Sequence, residues 1–242
     1  MEFRDKIVLI TGANRGIGKA LVEACLKKEV KKIYACARDS KSLSVFQDER
    51  IVPLTLDISN QDQRLAAAKA AYDVQILINN AGVLHPGSLF GESSNNFKED
   101  MEINYFATIE MMRAFLPLLK KNKEARMINI ASIAKFTNFP FIAGYSASKA
   151  ALYSISQAAR IELSQYNIPV HIVNPGAIDT DMNKGSTMQM TAPDEMAMNL
   201  LNDVEAEIED IIPDKIGKGM YEVWERSPRE LEALSRQIFF QS

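Results

Sequence analysis

Residues 6–18 read Lys-Ile-Val-Leu-Ile-Thr-Gly-Ala-Asn-Arg-Gly-Ile-Gly, and no other stretch constrains the fold as tightly. The first half is a β-branched apolar run, the pattern of a strand buried on both faces. Glycines at 12, 16 and 18 then make a tight turn, and Leu21, Cys25 and Leu26 follow at helical spacing. A strand that turns directly into a helix opens a βαβ unit. The alternation continues, with strands expected at residues 33–37, 51–56, 74–78, 127–131 and 170–173 and helices at 61–72, 96–121 and 145–166. Such a chain forms an α/β fold, a doubly wound parallel sheet with helices on both faces. Right-handed crossovers give six strands in the order 3-2-1-4-5-6, and no convincing seventh strand is visible.

The 242 residues suit one domain, 1–242. A net charge of −3 gives no reason to expect a nucleic-acid partner. The charged start, Met1-Glu2-Phe3-Arg4-Asp5-Lys6, does not read as a signal peptide, and no apolar run approaches the roughly 20 residues of a membrane span. A cytoplasmic protein with no membrane partner is expected. Cys25 and Cys36 read as buried free thiols, and no Cys/His cluster has the spacing of a metal site.

In an open parallel sheet, ligands bind beyond the C-terminal ends of the strands. The chain's distinctive segments fall on that rim. The glycine loop follows strand one, Asp57 strand three, Asn79-Asn80-Ala81-Gly82 strand four, Ser132 strand five and Pro175-Gly176 strand six. Glycines in the first loop let backbone approach a pyrophosphate, and the helix N-terminus offers unpaired N–H groups. Tyr145 and Lys149, in Gly-Tyr-Ser-Ala-Ser-Lys-Ala-Ala, share one helix face a turn apart. A nearby ammonium is expected to lower the phenol's pKa by roughly 1–3 units, making Tyr145 a proton donor and acceptor.

The spacing Thr-Gly-x-x-x-Gly-x-Gly, Asn-Asn-Ala-Gly, Ser132, Tyr145-x-x-x-Lys149 and Pro175-Gly176 resembles the short-chain dehydrogenase/reductase family over residues 5–182. The resemblance implies a Rossmann-type fold, a nicotinamide cofactor and hydride transfer to or from a carbonyl or alcohol. It implies catalytic roles for Ser132, Tyr145, Lys149 and Asn104, the last in Glu102-Ile103-Asn104-Tyr105. It implies cofactor contacts at Gly12, Asn14, Arg15, Gly16, Ile17, Gly18, Arg38, Asp57, Ile58, Asn80, Ala81, Gly82, Ile103, Tyr145, Lys149, Pro175, Gly176, Ile178 and Thr180. No metal is implied.

Enzymes preferring NAD place an acid at the end of strand two. Here Ala37 holds that position and Arg38 follows, with Arg15 in the glycine loop. Two arginines and no acid suit the 2′-phosphate of NADP(H). In the competing reading, Asp39 binds the ribose diol and Arg38 is solvated.

The tail is less patterned. Residues 183–242 are expected to supply a substrate lid and C-terminal helices. Met182, Met188 and Met190 either line an apolar pocket or belong to a surface loop, and Leu84, His85, Phe139 and Phe141 are candidates for other walls. Met196, Leu200, Val204, Ile208 and Ile211 recur at helical spacing up to Pro213, and Ser227-Pro228-Arg229-Glu230 opens a last helix. Residues 96–121 are apolar on more than one side, covered either by the sheet and a loop or by a partner subunit. A homodimer through the long helices, and next a monomer, are the expected states. The expected function is an NADP(H)-dependent carbonyl reductase acting on a lipophilic carbonyl or alcohol. The alternatives are an NADP(H)-binding regulator or scaffold, and an epimerase or dehydratase on the same fold.

Overall fold

The computed structural model describes residues 1–91, 95–185 and 189–241. Strands β1 (Ile7–Thr11), β2 (Lys32–Ala37), β3 (Ile51–Thr55), β4 (Ile76–Asn79), β5 (Arg126–Ile130), β6 (Val170–Val173) and β7 (Asp210–Ile211) form one sheet in the order β3-β2-β1-β4-β5-β6-β7. Every pairing is parallel. β1, β4, β5 and β6 are buried throughout, as strands covered on both faces must be. β3 is partly exposed and carries Pro53, which an edge strand tolerates.

Helices α1 (Gly16–Lys27) and α6 (Pro193–Glu205) pack together on one face. Leu21, Val22 and Cys25 meet Met196, Leu200 and Val204 in that core. α2 (Gln61–Ala70), α4 (Thr108–Leu119) and α5 (Ala143–Ser164) cover the other face, where Met111, Phe115, Leu119 and Leu163 are buried. α7 (Lys215–Arg226) and α8 (Pro228–Gln241) close the chain. Cys25 and Cys36 are buried and unpaired. Among the described residues no helix is long and apolar enough to cross a membrane.

Two segments differ from the sequence expectation. The helix expected to run to Pro213 stops at Glu205. The Ala206 N–H closes it on the Asn202 carbonyl and the Glu207 N–H on the Val204 carbonyl, and Glu207 turns the chain away with φ +62°. Ile208 is then exposed, while Ile211 is fully buried as a strand residue beside Val173. The Arg160 guanidinium secures this seventh strand through Asp210 and the Glu209 carbonyl, both at 3.0 Å. The helix expected over 96–121 is also not uniform. It runs as α3 (Asn95–Met101), a π-helical turn (Glu102–Ala107) and α4. Met101 and Tyr105 are only partly buried, and Asp100 and Asn104 occupy the inward face.

Candidate active site

The sheet's C-terminal rim opens on one cavity of about 790 Å³. At its centre the glycine loop joins β1 to α1. Gly12 and Gly16 take φ of +65° and +50°, a region that side chains rarely enter. A Cβ on Gly18 would overlap the Gly12 carbonyl oxygen and come within 2.6 Å of Asn80 Nδ2. Asn80 Nδ2 donates to the carbonyls of Thr11 (2.9 Å) and Gly12 (3.2 Å). The backbone N–H groups of Asn80 and Ala81 donate to Thr11 Oγ1, each at 2.9 Å. The loop is thus tied to the end of β4. α1 begins with no side-chain cap, and its first residues line the cavity. Uncapped N–H groups, the positive end of a helix dipole and the absence of side chains in the way form a cradle for a pyrophosphate. The residues present therefore fit a dinucleotide.

Arg15, Arg38, Asp57 and Ile58 line one end of the cavity. Asp57 is held below the usual carboxylate range, chiefly by the Ser59 hydroxyl, with the Arg38 and Arg64 charges adding to the effect. The Asp39 carboxylate is engaged: its Oδ1 accepts the Lys41 N–H at 2.9 Å and caps the short turn Ser40–Leu43.

At the other end stand Ser132, Tyr145 and Lys149, all buried. Ser132 lies just past β5, at the start of the short turn Ile133–Lys135, and its Oγ accepts the Ala134 N–H at 3.1 Å. Lys149 donates to the Ile130 carbonyl at 2.8 Å, and its Nζ lies 5.6 Å from the centre of the Tyr145 ring. Burial pushes the Tyr145 phenol up to about 12, against a lowering hydrogen bond with Ser132. Burial brings Lys149 down to about 8. The expectation that Lys149 depresses the phenol is therefore corrected. The ammonium points to the Ile130 carbonyl, and loss of solvation outweighs every other influence on the phenol.

Asn104 alone of the expected site residues is absent from the cavity wall. It lies one layer behind, in the π-helical turn and fully buried. Its Nδ2 donates to the Val83 carbonyl (2.8 Å) and Ser148 Oγ (2.9 Å), and its Oδ1 accepts the Val83 N–H (2.9 Å). It clamps the segment after β4 to α5. Gly82 fits between Asn104 and Lys149, where a Cβ would lie 2.9 Å from Asn104 Oδ1. Pro175, Gly176, Ile178 and Thr180 complete the wall after β6.

The model of the short chain dehydrogenase family matches residues 6–191. The chain belongs to that family. A family member from Burkholderia cenocepacia J2315, solved in complex with NADP, is 34% identical; the match covers 97% of this chain and 99% of that one with a TM-score of 0.92. A 3-ketoacyl-(acyl-carrier-protein) reductase from Brucella melitensis, solved with NADH, is 25% identical with a TM-score of 0.80, covering 87% of this chain and 97% of that one. A 3-oxoacyl-[acyl-carrier-protein] reductase of Vibrio cholerae is 30% identical over 190 residues, 76% of this chain and 78% of that protein.

Where this short chain dehydrogenase continues past the matched residues, it adds walls that the sequence reading missed. Ile216 and Met220 from α7 and Ile238 from α8 join Leu84, Phe139, Phe141 and Met182 on the cavity wall, and Leu84, Phe139 and Met220 form one cluster with Tyr145. His85 and Met190, candidates for the wall, are not part of it, and Met188 lies outside the described residues. Asp214 was also missed. Buried at the start of α7, it caps Gly217 N–H (2.8 Å) and holds Gly176 N–H (2.7 Å), joining the tail to the end of β6. An aspartate three residues before Gly217 is a readable N-cap, but two glycines in Lys215–Arg226 disguise the helix. Gly217 is required there, since a Cβ would lie 2.8 Å from Ile212 Cγ2.

Proposed function

We propose that the protein is an NADP(H)-dependent oxidoreductase acting on carbonyl and alcohol groups, working as a carbonyl reductase on apolar substrates. One observation carries the reading: Ser132, Tyr145 and Lys149 line the same cavity as the glycine loop. When bound, the nicotinamide supplies or takes up a hydride. The chain supplies the proton and the oxygen site. A carbonyl that gains a hydride develops negative charge on oxygen, and Tyr145 donates a proton to it. A phenol held protonated at neutral pH suits that direction. The Ser132 hydroxyl hydrogen-bonds the substrate oxygen and steadies the developing charge. Lys149 commits one N–H to Ile130 and keeps two for a ribose hydroxyl and the site's proton traffic. Asn104 fixes the wall behind them.

Gly12, Gly16, Ile17 and Gly18 would hold the pyrophosphate, Asp57 and Ile58 the adenine side, and Asn80 to Gly82, Pro175, Gly176, Ile178 and Thr180 the rest of the dinucleotide. Arg15 and Arg38 favour the 2′-phosphate. Among the described residues neither makes an ion pair, and Asp39 is occupied by its capping bond. The NADP complex of the Burkholderia relative supports this choice. The walls from Leu84, Phe139, Phe141 and Met220 favour an apolar substrate.

The test is loss of NADPH absorbance with a panel of carbonyl compounds, repeated with Tyr145→Phe. The variant should lose about 10²–10⁴-fold in kcat. Wild-type turnover in Tyr145→Phe would remove Tyr145 as the donor. NADPH binding without turnover of any carbonyl would favour a regulator.

A further inference from the structure

Two walls of the cavity come from distant parts of the chain. Pro175 and Gly176, assigned above to the dinucleotide, follow β6, whereas Ile216 and Met220 on α7 face the apolar end. One buried carboxylate bridges them. Asp214 Oδ2 accepts the Gly176 N–H at 2.7 Å, and Oδ1 accepts the Gly217 N–H at 2.8 Å. Its base is fixed, because Asn199 Nδ2 on α6 donates to the neighbouring Pro213 carbonyl at 3.0 Å. The two segments also have no slack between them. A Cβ on Gly176 would lie 2.7 Å from the Gly217 nitrogen, and one on Gly217 would lie 3.2 Å from the Gly176 nitrogen. Backbone meets backbone there, and the carboxylate holds the two from drawing apart.

α7 carries this contact across the site. Ile216, Met220 and Trp224 recur every four residues and share one side of the helix. Ile216 and Met220 line the cavity, and Met220 forms one cluster with Leu84, Phe139 and Tyr145. Trp224 packs on Phe136, with ring centres 4.7 Å apart, directly after the turn that Ser132 opens. A hydrogen-bonded helix moves as one body, so a displacement of Gly176 reaches Met220 and Trp224 through Asp214 and the start of α7.

We propose that Asp214 is a positioning residue that yokes the apolar wall on α7 to the segment after β6, so that dinucleotide binding sets the shape of the carbonyl pocket. The two ligands then bind cooperatively, each tightening the other by the same factor. The inference rests on the reading of the cavity as a dinucleotide site with an apolar substrate end, so its first test needs no turnover.

Trp224 is the single tryptophan of the chain, and it stands on α7 away from the cavity wall. Its emission therefore reports α7 without touching a ligand. NADP+ titrated into the unmodified protein should change that emission. Asp214→Asn separates the yoke from a simple helix cap. Asparagine caps a helix as well as aspartate does, but its one acceptor oxygen cannot serve Gly176 and Gly217 together. The variant should keep its thermal midpoint and, by calorimetry, its NADP+ affinity, while the Trp224 response is lost. Asp214→Ser, another good cap, carries the same expectation if the asparagine variant does not fold. In carbonyl reduction KM should rise about tenfold, the low end for a lost hydrogen bond to a charged group, with kcat changed far less. A merely structural role would lower the thermal midpoint and leave KM and the Trp224 response in place. NADP+ binding by calorimetry with a silent Trp224 overturns the proposal and leaves the reductase reading intact. So does a Trp224 response or a KM that survives unchanged in folded Asp214→Asn. An Asp214-dependent Trp224 response without turnover of any carbonyl compound would instead remove the reductase reading and leave the yoke standing.

Discussion

Arg38→Ala should weaken NADPH binding about tenfold and leave NADH almost untouched. Arg38 directly follows β2, is exposed, and lines the cavity beside Arg15. A hydrogen bond to a charged group contributes about 1.5–3 kcal/mol. Two features move Arg38 to the low end of that range. Its guanidinium is open to solvent, and the Asp57 carboxylate already draws on its charge. About 1.4 kcal/mol corresponds to a factor of ten in affinity. Arg15→Ala should cost a similar amount. Arg38→Asp should go further and favour NADH, because it puts a diol acceptor where the cation stood. The assay is fluorescence titration of both nucleotides at fixed ionic strength, with kcat/KM measured for each. NADPH preference should also shrink as salt is raised, since the contact is exposed. Comparable kcat/KM for the two cofactors in the unmodified protein would refute the reasoning. So would an equal loss for both in Arg38→Ala, which would mean that Arg38 shapes the loop and leaves the phosphate alone.

Gly18→Ala should abolish nucleotide binding and destabilise the fold by about 1–3 kcal/mol, the usual cost of overpacking. Thermal unfolding and NADPH titration would show it, and retained binding would mean that the glycine loop can shift. Glu207 gives a pH prediction at the opposite end of the sheet. Its carboxyl, bonded to the buried Arg126 guanidinium, is held at about 2 against an ordinary value of 4.5. A depressed folded-state value means that its stabilisation is complete above pH 4.5 and is lost as pH falls toward 2. Glu207→Gln should therefore flatten the acid limb of a urea-midpoint profile between those limits. An acid limb identical to that of the unmodified protein would show that the pair does not matter there.

The ends of strands one, four, five and six were legible because they repeat one local rule, an apolar run followed by glycine, asparagine, serine or Asn-Pro-Gly. Together with the family resemblance, which added residues on helices such as Ile103, that rule named site residues that, Asn104 apart, all line the cavity. It failed where local signal and tertiary setting part. β7 has two residues, too few for any alternation, and Ile208 and Ile211 continue α6's spacing by coincidence. α7 carries glycines at 217 and 219, and its need for one of them arises from Ile212 and Asp214 in three dimensions. Asp100 reads as one more charge on a polar turn, because burial by α5 and the segment after β4 leaves no trace in its neighbours. The electrostatic balance at Tyr145 was misjudged for a related reason. Spacing gives the proximity of a lysine, while the degree of desolvation depends on the whole surrounding wall.

The π-helical turn at Glu102–Ala107 has a consequence for how this chain can change. Each residue advances an α-helix by about 100°, so one residue taken up in a wider turn resets the rotational phase of everything beyond it. α3 and α4 are therefore clocked separately. Asp100 and Asn104 are timed to the segment after β4, whereas Met111, Phe115 and Leu119 are timed to the sheet. The mixed apolar sides of residues 96–121 are the imprint of two clocks read as one. Removing a single residue from the turn would merge them, and the helix would have to abandon either its grip on Val83 and His85 or its seat on the sheet. Point substitutions can drift along this helix, but a one-residue deletion has no neutral place to land.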